Sequence, residues 1–466
     1  MTAPSRSSHA DVAVLGGGPA GLGAAFRLAG TGVRTVVLEA GDTVGGLAGS
    51  RRIAGMRVDY GSHRLHPSIA PEILADLRAL PGVDLQRRAR NGRILITDRW
   101  VAFPLRVGDA IRHLPPALAL GLIRDTLAAP LRRPRADTFD QVLRAGVGPA
   151  LAGRFYFPYA RKIWGVEPSE LSGELARRRV GANSVVSIVR RMVRGHQESP
   201  WFWYPSAGFG ALSEGLADAA AARGADIRLR ARVAALRRNG VSWTITTQDG
   251  GTLHADHVWS TLPVPVLAGM TDPAAPRDVR SAAAALRYRA MVLVYLTLDR
   301  DRFSGFDAHY LPEGWTPVTR ISEPRNYRDS SDPEGVTVLC AEVPCAPDDR
   351  WWAGSDAGLA AMVADTCAAA GLDRPESCAV EVVRRRYAYP IATVATVQRL
   401  QRIEQWVASL PGVVTLGRQG LFAHDNTHHA LAMAWAAADA LRPDGTFDHD
   451  RWRAAREGFR AHVVED

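Results

Sequence analysis

Asp11-Val-Ala-Val-Leu-Gly-Gly-Gly-Pro-Ala-Gly21, followed by Arg34-Thr-Val-Val-Leu-Glu39, decides how this chain is read. Residues 11–15 are a short apolar run with the character of a buried strand. A helical pattern over 20–28 follows, and Gly30 stops it. Residues 34–38 are a second apolar run, ending in Glu39. Gly16, Gly18 and Gly21 are spaced G-x-G-x-x-G between strand and helix, and the acid stands 18 residues beyond the last glycine. Each position has a physical task. Gly16 permits the tight turn, Gly18 lets backbone approach a pyrophosphate, and Gly21 lets the helix pack on the strand. The helix amino terminus offers unpaired N–H groups to the phosphates. Glu39 can accept both hydroxyls of an adenosine ribose, and its charge repels a 2′-phosphate.

Beyond Glu39 comes a second glycine pair, Gly45-Gly46-Leu47. A further backbone-approach site so soon suits a ligand lying extended across the domain, as FAD does. Here the sequence resembles the amine oxidase, protoporphyrinogen oxidase and UDP-galactopyranose mutase group of flavoproteins. Leu416-Gly417-Arg418-Gln419-Gly420 is similar to the far end of that group. So is Phe422-Ala-His-Asp-Asn426-Thr-His-His429-Ala430, which leads into an Ala-rich helix ending at Leu441. The resemblance implies that this helix points its amino terminus at the flavin, with Gly417, Arg418, Asn426, His429 and Ala430 beside the cofactor. It also implies that the backbone at Val233 meets adenine.

The implied fold is α/β. A Rossmann-like FAD-binding domain of the amine oxidase/mutase type is discontinuous over 1–85, 205–265 and 400–445. An α+β substrate domain is inserted over 86–204 and 266–399, and residues 446–466 form a helical tail. The middle of the chain is consistent with this. Residues 212–223 read as a helix and 226–230 as a strand. Residues 243–261 read as a hairpin region followed by a strand, which Pro263 ends. No second glycine fingerprint follows a strand, so a separate pyridine-nucleotide site is not expected.

The substrate side rests more on resemblance. Gly61-Ser-His63-Arg-Leu-His66 resembles the Gly-x-His-x-x-His stretch of the mutases, which implies a place for His63 by the flavin ring. Residues 94–105 read as a hairpin. Tyr159-Ala-Arg-Lys162-Ile163-Trp164-Gly165 looks like a substrate-domain segment of the mutases, although they usually carry glutamine where this chain has Ile163. Lys162 is the one lysine among 57 cationic residues, and an ammonium differs chemically from a guanidinium. Arg384-Arg-Arg386-Tyr-Ala-Tyr389-Pro390 resembles an element that reaches substrate. Strand alternation sends Arg384 and Arg386 to one face and Arg385 to the other. The expected catalytic set is therefore His63, Lys162, Arg386 and Tyr389. No metal set is expected, because His63 and His66 lack further ligands at suitable spacing. The aromatic cluster 201–204 suits either a flat substrate or an ordinary core.

The chain has 466 residues, 47% of them hydrophobic and 23% charged, which excludes bulk disorder. Four cysteines in one stretch, without CxxC spacing, exclude a disulfide or zinc scaffold. The net charge of +9 comes from arginines scattered along the chain, with no nucleic-acid motif, so no nucleic-acid partner is expected. Residues 1–10 are polar, and no run of about 18 apolar residues occurs. No transmembrane segment and a cytoplasmic location are the expectations. Residues 114–131 are the most lipid-like stretch; they read as helical cover of a pocket, with peripheral membrane contact as the alternative. The resemblance implies an FAD-dependent oxidoreductase that moves a hydride from a small molecule (sugar, amine or cyclic compound) to flavin N5. Two alternatives stand beside it. One is a mutase-like enzyme acting on a nucleotide sugar, and the other is a non-catalytic flavin-bound scaffold.

Overall fold

The strand His9–Leu15 runs through the middle of an eight-stranded sheet in the computed structural model, which describes residues 8–103, 116–180 and 201–464. Thr35–Leu38 lies parallel on one side, with Val12 opposite Thr35 and Leu15 opposite Leu38. Asp226–Arg228 continues the sheet beyond it. On the other side comes Thr252–Ser260, also parallel, and Val413–Thr415 pairs with its last residues. Ser242–Thr247, Val233–Asn239 and Thr271–Asp272 complete the sheet. The central strands are buried on both faces, as parallel sheets covered by helices must be.

The helix Pro19–Leu28 makes the crossover between the first two strands. It packs on Thr427–Ala440 so closely that a side chain at Gly23 would meet the Trp435 ring at 2.8 Å. With Ala211–Ala222 these helices bury Leu22, Phe26, Leu216, Leu431 and Met433 against one sheet face. The other face is covered by Val264, Leu267, Val279, Ile403 and Trp406.

A second sheet has seven strands in the order Ala379–Pro390, Tyr288–Leu298, Thr337–Cys345, Arg320–Ser322, Ala308–Tyr310, Gly92–Ile96 and Arg99–Phe103. All its pairings are antiparallel except Ala308–Tyr310 beside Gly92–Ile96. The hairpin expected over 94–105 thus runs as Gly92–Ile96 and Arg99–Phe103, and its last expected residues lie outside the described ones. Cys340, Cys345 and Cys367 are buried and Cys378 exposed, all as free thiols.

Two polar knots tie the second sheet to the segment 50–62. Buried Asp59 accepts from Ser50 Oγ at 2.6 Å, from the Phe209 N–H at 3.0 Å and from the Tyr204 hydroxyl. The Tyr295 hydroxyl, from the second sheet, donates to the Asp59 carbonyl at 2.7 Å. Buried Glu342 accepts from the Ser62 N–H at 2.8 Å and from Arg320 Nη2 at 2.9 Å. Buried carboxylates need such partners: Asp59 is met by three hydrogen-bond donors, and Glu342 by a hydrogen bond and the Arg320 ion pair.

Of the stretch 114–131, the described residues form the helix Pro116–Leu127 and a short turn, Ala129–Leu131. Among the described residues this stretch lines neither of the cavities described below. Its Leu118 is buried, whereas Leu120, Ile123, Leu127 and Leu131 are exposed.

Candidate active site

The turn after His9–Leu15 sets the geometry. Gly16 has φ +105°, and a side chain there would meet Thr261 Oγ1 at 2.3 Å. A Cβ on Gly21 would lie 2.0 Å from the Gly16 carbonyl oxygen, so the helix can approach the strand only with glycine there. Gly18 differs: its nearest neighbour would be Gly46 Cα at 4.0 Å. Backbone is thus exposed toward a cleft rather than toward protein. Gly45 (φ +111°) and Gly46 (φ +56°) turn the second glycine pair back onto this loop, and the Gly45 N–H donates to the Gly17 carbonyl at 2.8 Å. Glu39 holds both loops. Its carboxylate accepts from the Gly17 N–H at 2.6 Å and the Gly41 N–H at 2.7 Å. Carboxylate oxygens have lone pairs to spare for ribose hydroxyls.

The cleft has a volume of about 270 Å³. Nine of the thirteen expected cofactor residues line it: Gly16, Gly18, Glu39, Gly46, Leu47, Gly417, Arg418, Asn426 and Ala430. The other four lie elsewhere. Gly21 and Gly45 act in packing and turning. Val233 is half-buried at the start of its strand. His429 turns away: its Nδ1 accepts from the Asn426 N–H at 3.2 Å as half of a capping box, and its ring stacks on His462 at 4.1 Å. The helix Thr427–Ala440 enters the cleft amino terminus first, with Asn426, Thr427 and Ala430 on the wall. Two helix amino termini and two glycine loops supply donors, and a carboxylate at the strand end supplies an acceptor, in an arrangement that fits FAD.

A second cavity of about 110 Å³ shares Leu47, Ser62, His63, Arg320, Arg418 and Asn426 with the first. His63 stands between the two. Its Nε2 donates to the Tyr60 carbonyl at 3.0 Å, and its ring stacks on Phe209 at 5.1 Å. Burial pulls its pKa below the ordinary 6.5, so the imidazole is neutral at physiological pH. Tyr389 also lines this cavity, stacked on His424 with an 8° interplanar angle, and burial raises its phenol above the ordinary range.

Lys162 lies outside both linings. Its Nζ donates to the carbonyls of Leu311 (2.5 Å), Glu313 (2.9 Å) and Val318 (2.6 Å), tying the helix Phe157–Trp164 to the second sheet. Burial pulls it down to about 7, while three carbonyl acceptors satisfy a full ammonium. Arg386 is exposed and Arg385 lines the pocket. Arg384 points the other way, with Nη2 donating to the Gly354 carbonyl at 2.6 Å. Strand alternation sets Arg385 and Tyr389, four apart, on one face, and a bulge in Ala379–Pro390 shortens the distance between them. Met291 pairs with Arg385 and Arg289 with Tyr389, so between these pairs one residue on one strand faces three on the other. Arg385 and Tyr389 consequently reach the same cavity.

Several pocket residues carried no sequence signal. Arg320 and Glu342 are 22 residues apart on neighbouring strands, and only sheet register pairs them. Arg179 and His424 also line the pocket. His424 is held well below 6.5 by burial and by Arg418, Arg179 and Arg178. Of the aromatic cluster, Phe202 and Tyr204 are core, while Trp201 and Trp203 lie under Arg87 and Arg78. His66 is buried against Ser68 and His428. Asp425, His429 and His462 bring ligand atoms within 4.8 Å of one another. Asp425 is bound by Arg178 at 3.1 Å, and the two imidazoles are parallel within 11°. A metal must lie near the plane of each imidazole it binds, and parallel planes share no such point.

The flavin containing amine oxidoreductase family model matches residues 19–441. Coproporphyrinogen III oxidases of Mycobacterium bovis and Mycobacterium tuberculosis are 31% identical over 292 residues, which are 58% of this chain and 62% of theirs. The chain thus spans about three fifths of the length of these curated relatives. Reduced UDP-galactopyranose mutase superposes with a TM-score of 0.79 at 21% identity, over 96% of this chain and 97% of that one. Putrescine oxidase superposes at 0.66 with 18% identity, over 92% and 98%. These two structures share its fold. FAD is the cofactor that the family and the cleft agree on, and the match over most of its length makes this chain a member of the flavin-containing amine oxidoreductase family.

Proposed function

We propose that the protein is an FAD-dependent oxidoreductase that takes a hydride from a small anionic molecule. One observation carries the substrate charge. Among the described residues, the cavity beside His63 is lined by four guanidinium groups, Arg179, Arg320, Arg385 and Arg418, against one carboxylate, Glu342, which Arg320 already pairs. A protonated amine entering there meets excess like charge, whereas carboxylates or phosphates meet planar donors of matching geometry. A cyclic substrate bearing carboxylates, such as the porphyrinogen of the mycobacterial relatives' name, fits this balance. Bound flavin supplies the two-electron sink. The chain's own residues position the substrate: Arg385, lying 3.9 Å over the Tyr60 ring, and Arg418 hold its anionic groups, and Tyr389 forms a wall. Neutral His63, with Nε2 committed to the Tyr60 carbonyl, keeps Nδ1 open to take a proton.

The same arginines suit a diphosphate, so a nucleotide-sugar mutase is the second reading. Mixing oxidised holoenzyme anaerobically with coproporphyrinogen III, putrescine or UDP-galactose separates the two. The expected result is flavin bleaching by the carboxylated substrate, with R385S raising KM and leaving kcat nearly unchanged. Faster bleaching by putrescine overturns the charge argument. Turnover of UDP-galactose only after dithionite reduction, without net use of reductant, overturns the oxidoreductase reading.

A further inference from the structure

The helix Pro116–Leu127 is apolar on both sides: Leu118 is buried and Leu122 packs against the core. Its inward face carries a charge: buried Asp125 accepts from the Ala150 N–H at 2.7 Å and lies 4.0 Å from Arg132. Gly121 allows this close seat, since a Cβ there would lie 2.7 Å from that of Ala150. Its outward face carries further large aliphatics. Leu120, Ile123, Leu127 and, in the following turn, Leu131 are 69%, 60%, 77% and 88% exposed. Their spacing of three, four and four places them on one stripe. Among the described residues they are four of the nine exposed large apolar side chains, so the exposure is concentrated, not scattered.

Charge says what covers the stripe. Arg124, Arg133 and Arg135 are exposed beside it. Over residues 116–136 the only acid is Asp125, which is buried. Asp137, the next acid, is engaged by Arg177 at 2.7 Å. An apolar stripe with a cationic border, and with no exposed carboxylate among residues 116–136, matches the depth profile of an anionic bilayer, hydrocarbon below and phosphate above. Twelve helical residues span about 18 Å, enough to lie flat on such a surface. No helix among the described residues is long and apolar enough to cross a membrane, so the contact is with one leaflet.

We propose that the 116–135 face is an interfacial anchor that docks this protein on anionic lipid. The test is co-sedimentation of the holoenzyme with phosphatidylcholine vesicles, with and without phosphatidylglycerol. Binding is expected only with phosphatidylglycerol, and it should weaken with salt. L120S/I123S/L127S should lower partitioning at least ~tenfold per side chain, and R124S/R133S/R135S about fivefold per arginine. Both variants should keep the flavin absorbance of the parent, because none of these side chains is buried. Three results each overturn the proposal: no sedimentation with anionic vesicles, sedimentation unaffected by both triple variants, or a dimer in sedimentation velocity that L120S/I123S/L127S abolishes. The last assigns the stripe to a second copy.

Discussion

Gly18 and Gly21 stand three residues apart and constrain different things. A methyl on Gly21 collides with a backbone carbonyl at 2.0 Å, so G21A should destabilise the fold by about 1–3 kcal/mol or more. A methyl on Gly18 meets nothing nearer than 4.0 Å within the protein and projects toward the cleft. G18A should therefore melt like the parent when stripped of flavin and bind FAD at least ~tenfold more weakly, because backbone can no longer reach the pyrophosphate. Equal melting losses for both variants would show that Gly18 serves packing instead. Both glycines were legible, since a fingerprint is local. Arg385 was not. Alternation separates it correctly from Arg384 and Arg386, but nothing in the letters announces the two-residue bulge that brings Tyr389 to its side. Lys162 shows the opposite limit. Its rarity marked it as unusual, and its surroundings are three carbonyls from a distant segment.

At the scale of elements, the helix Thr427–Ala440 does two tasks with one terminus. Asn426 caps it, in a box that also engages His429, and the same residue lines the cleft. N426A should cost about 1 kcal/mol of stability in the flavin-free protein. It should cost more in the presence of flavin, measured as a smaller rise in melting temperature on adding FAD. An N426A variant that loses capping stability but keeps the full FAD-induced rise would confine Asn426 to the cap. The strands, the crossover helix and this polar helix entry were all readable from period and punctuation. The pocket was not, because its walls come from register between strands: Arg320 meets Glu342 only through the pairing of Arg320–Ser322 with Thr337–Cys345.

Across the whole molecule, buried neutral histidines set the acid limit. His309 and His429 are pulled from 6.5 to about 4 and His428 to about 2, each chiefly by burial. Between pH 6.5 and 4 the unfolded chain takes up protons that the folded chain refuses. Stability is full above pH 6.5 and falls as pH falls, by up to about 1.4 kcal/mol per pH unit for each such histidine. Melting temperature should drop steeply over that window, and H309N should flatten the slope; an unchanged slope would remove His309 from the account.

The chain visits the first sheet at 9–38, the second at 92–103, the first again at 226–272, the second at 288–390, and the first once more at 413–415. The cleft lies on this seam, walled by Gly16 and Ala430 from one side and by Arg320 from the other. A ligand in it works as a rivet through two plates. Loosening the plates frees the rivet, and a filled hole resists loosening. Free FAD at 100 times its dissociation constant should add about 2.7 kcal/mol to the stability of both sheets at once. Calorimetry should record one transition that moves as a whole.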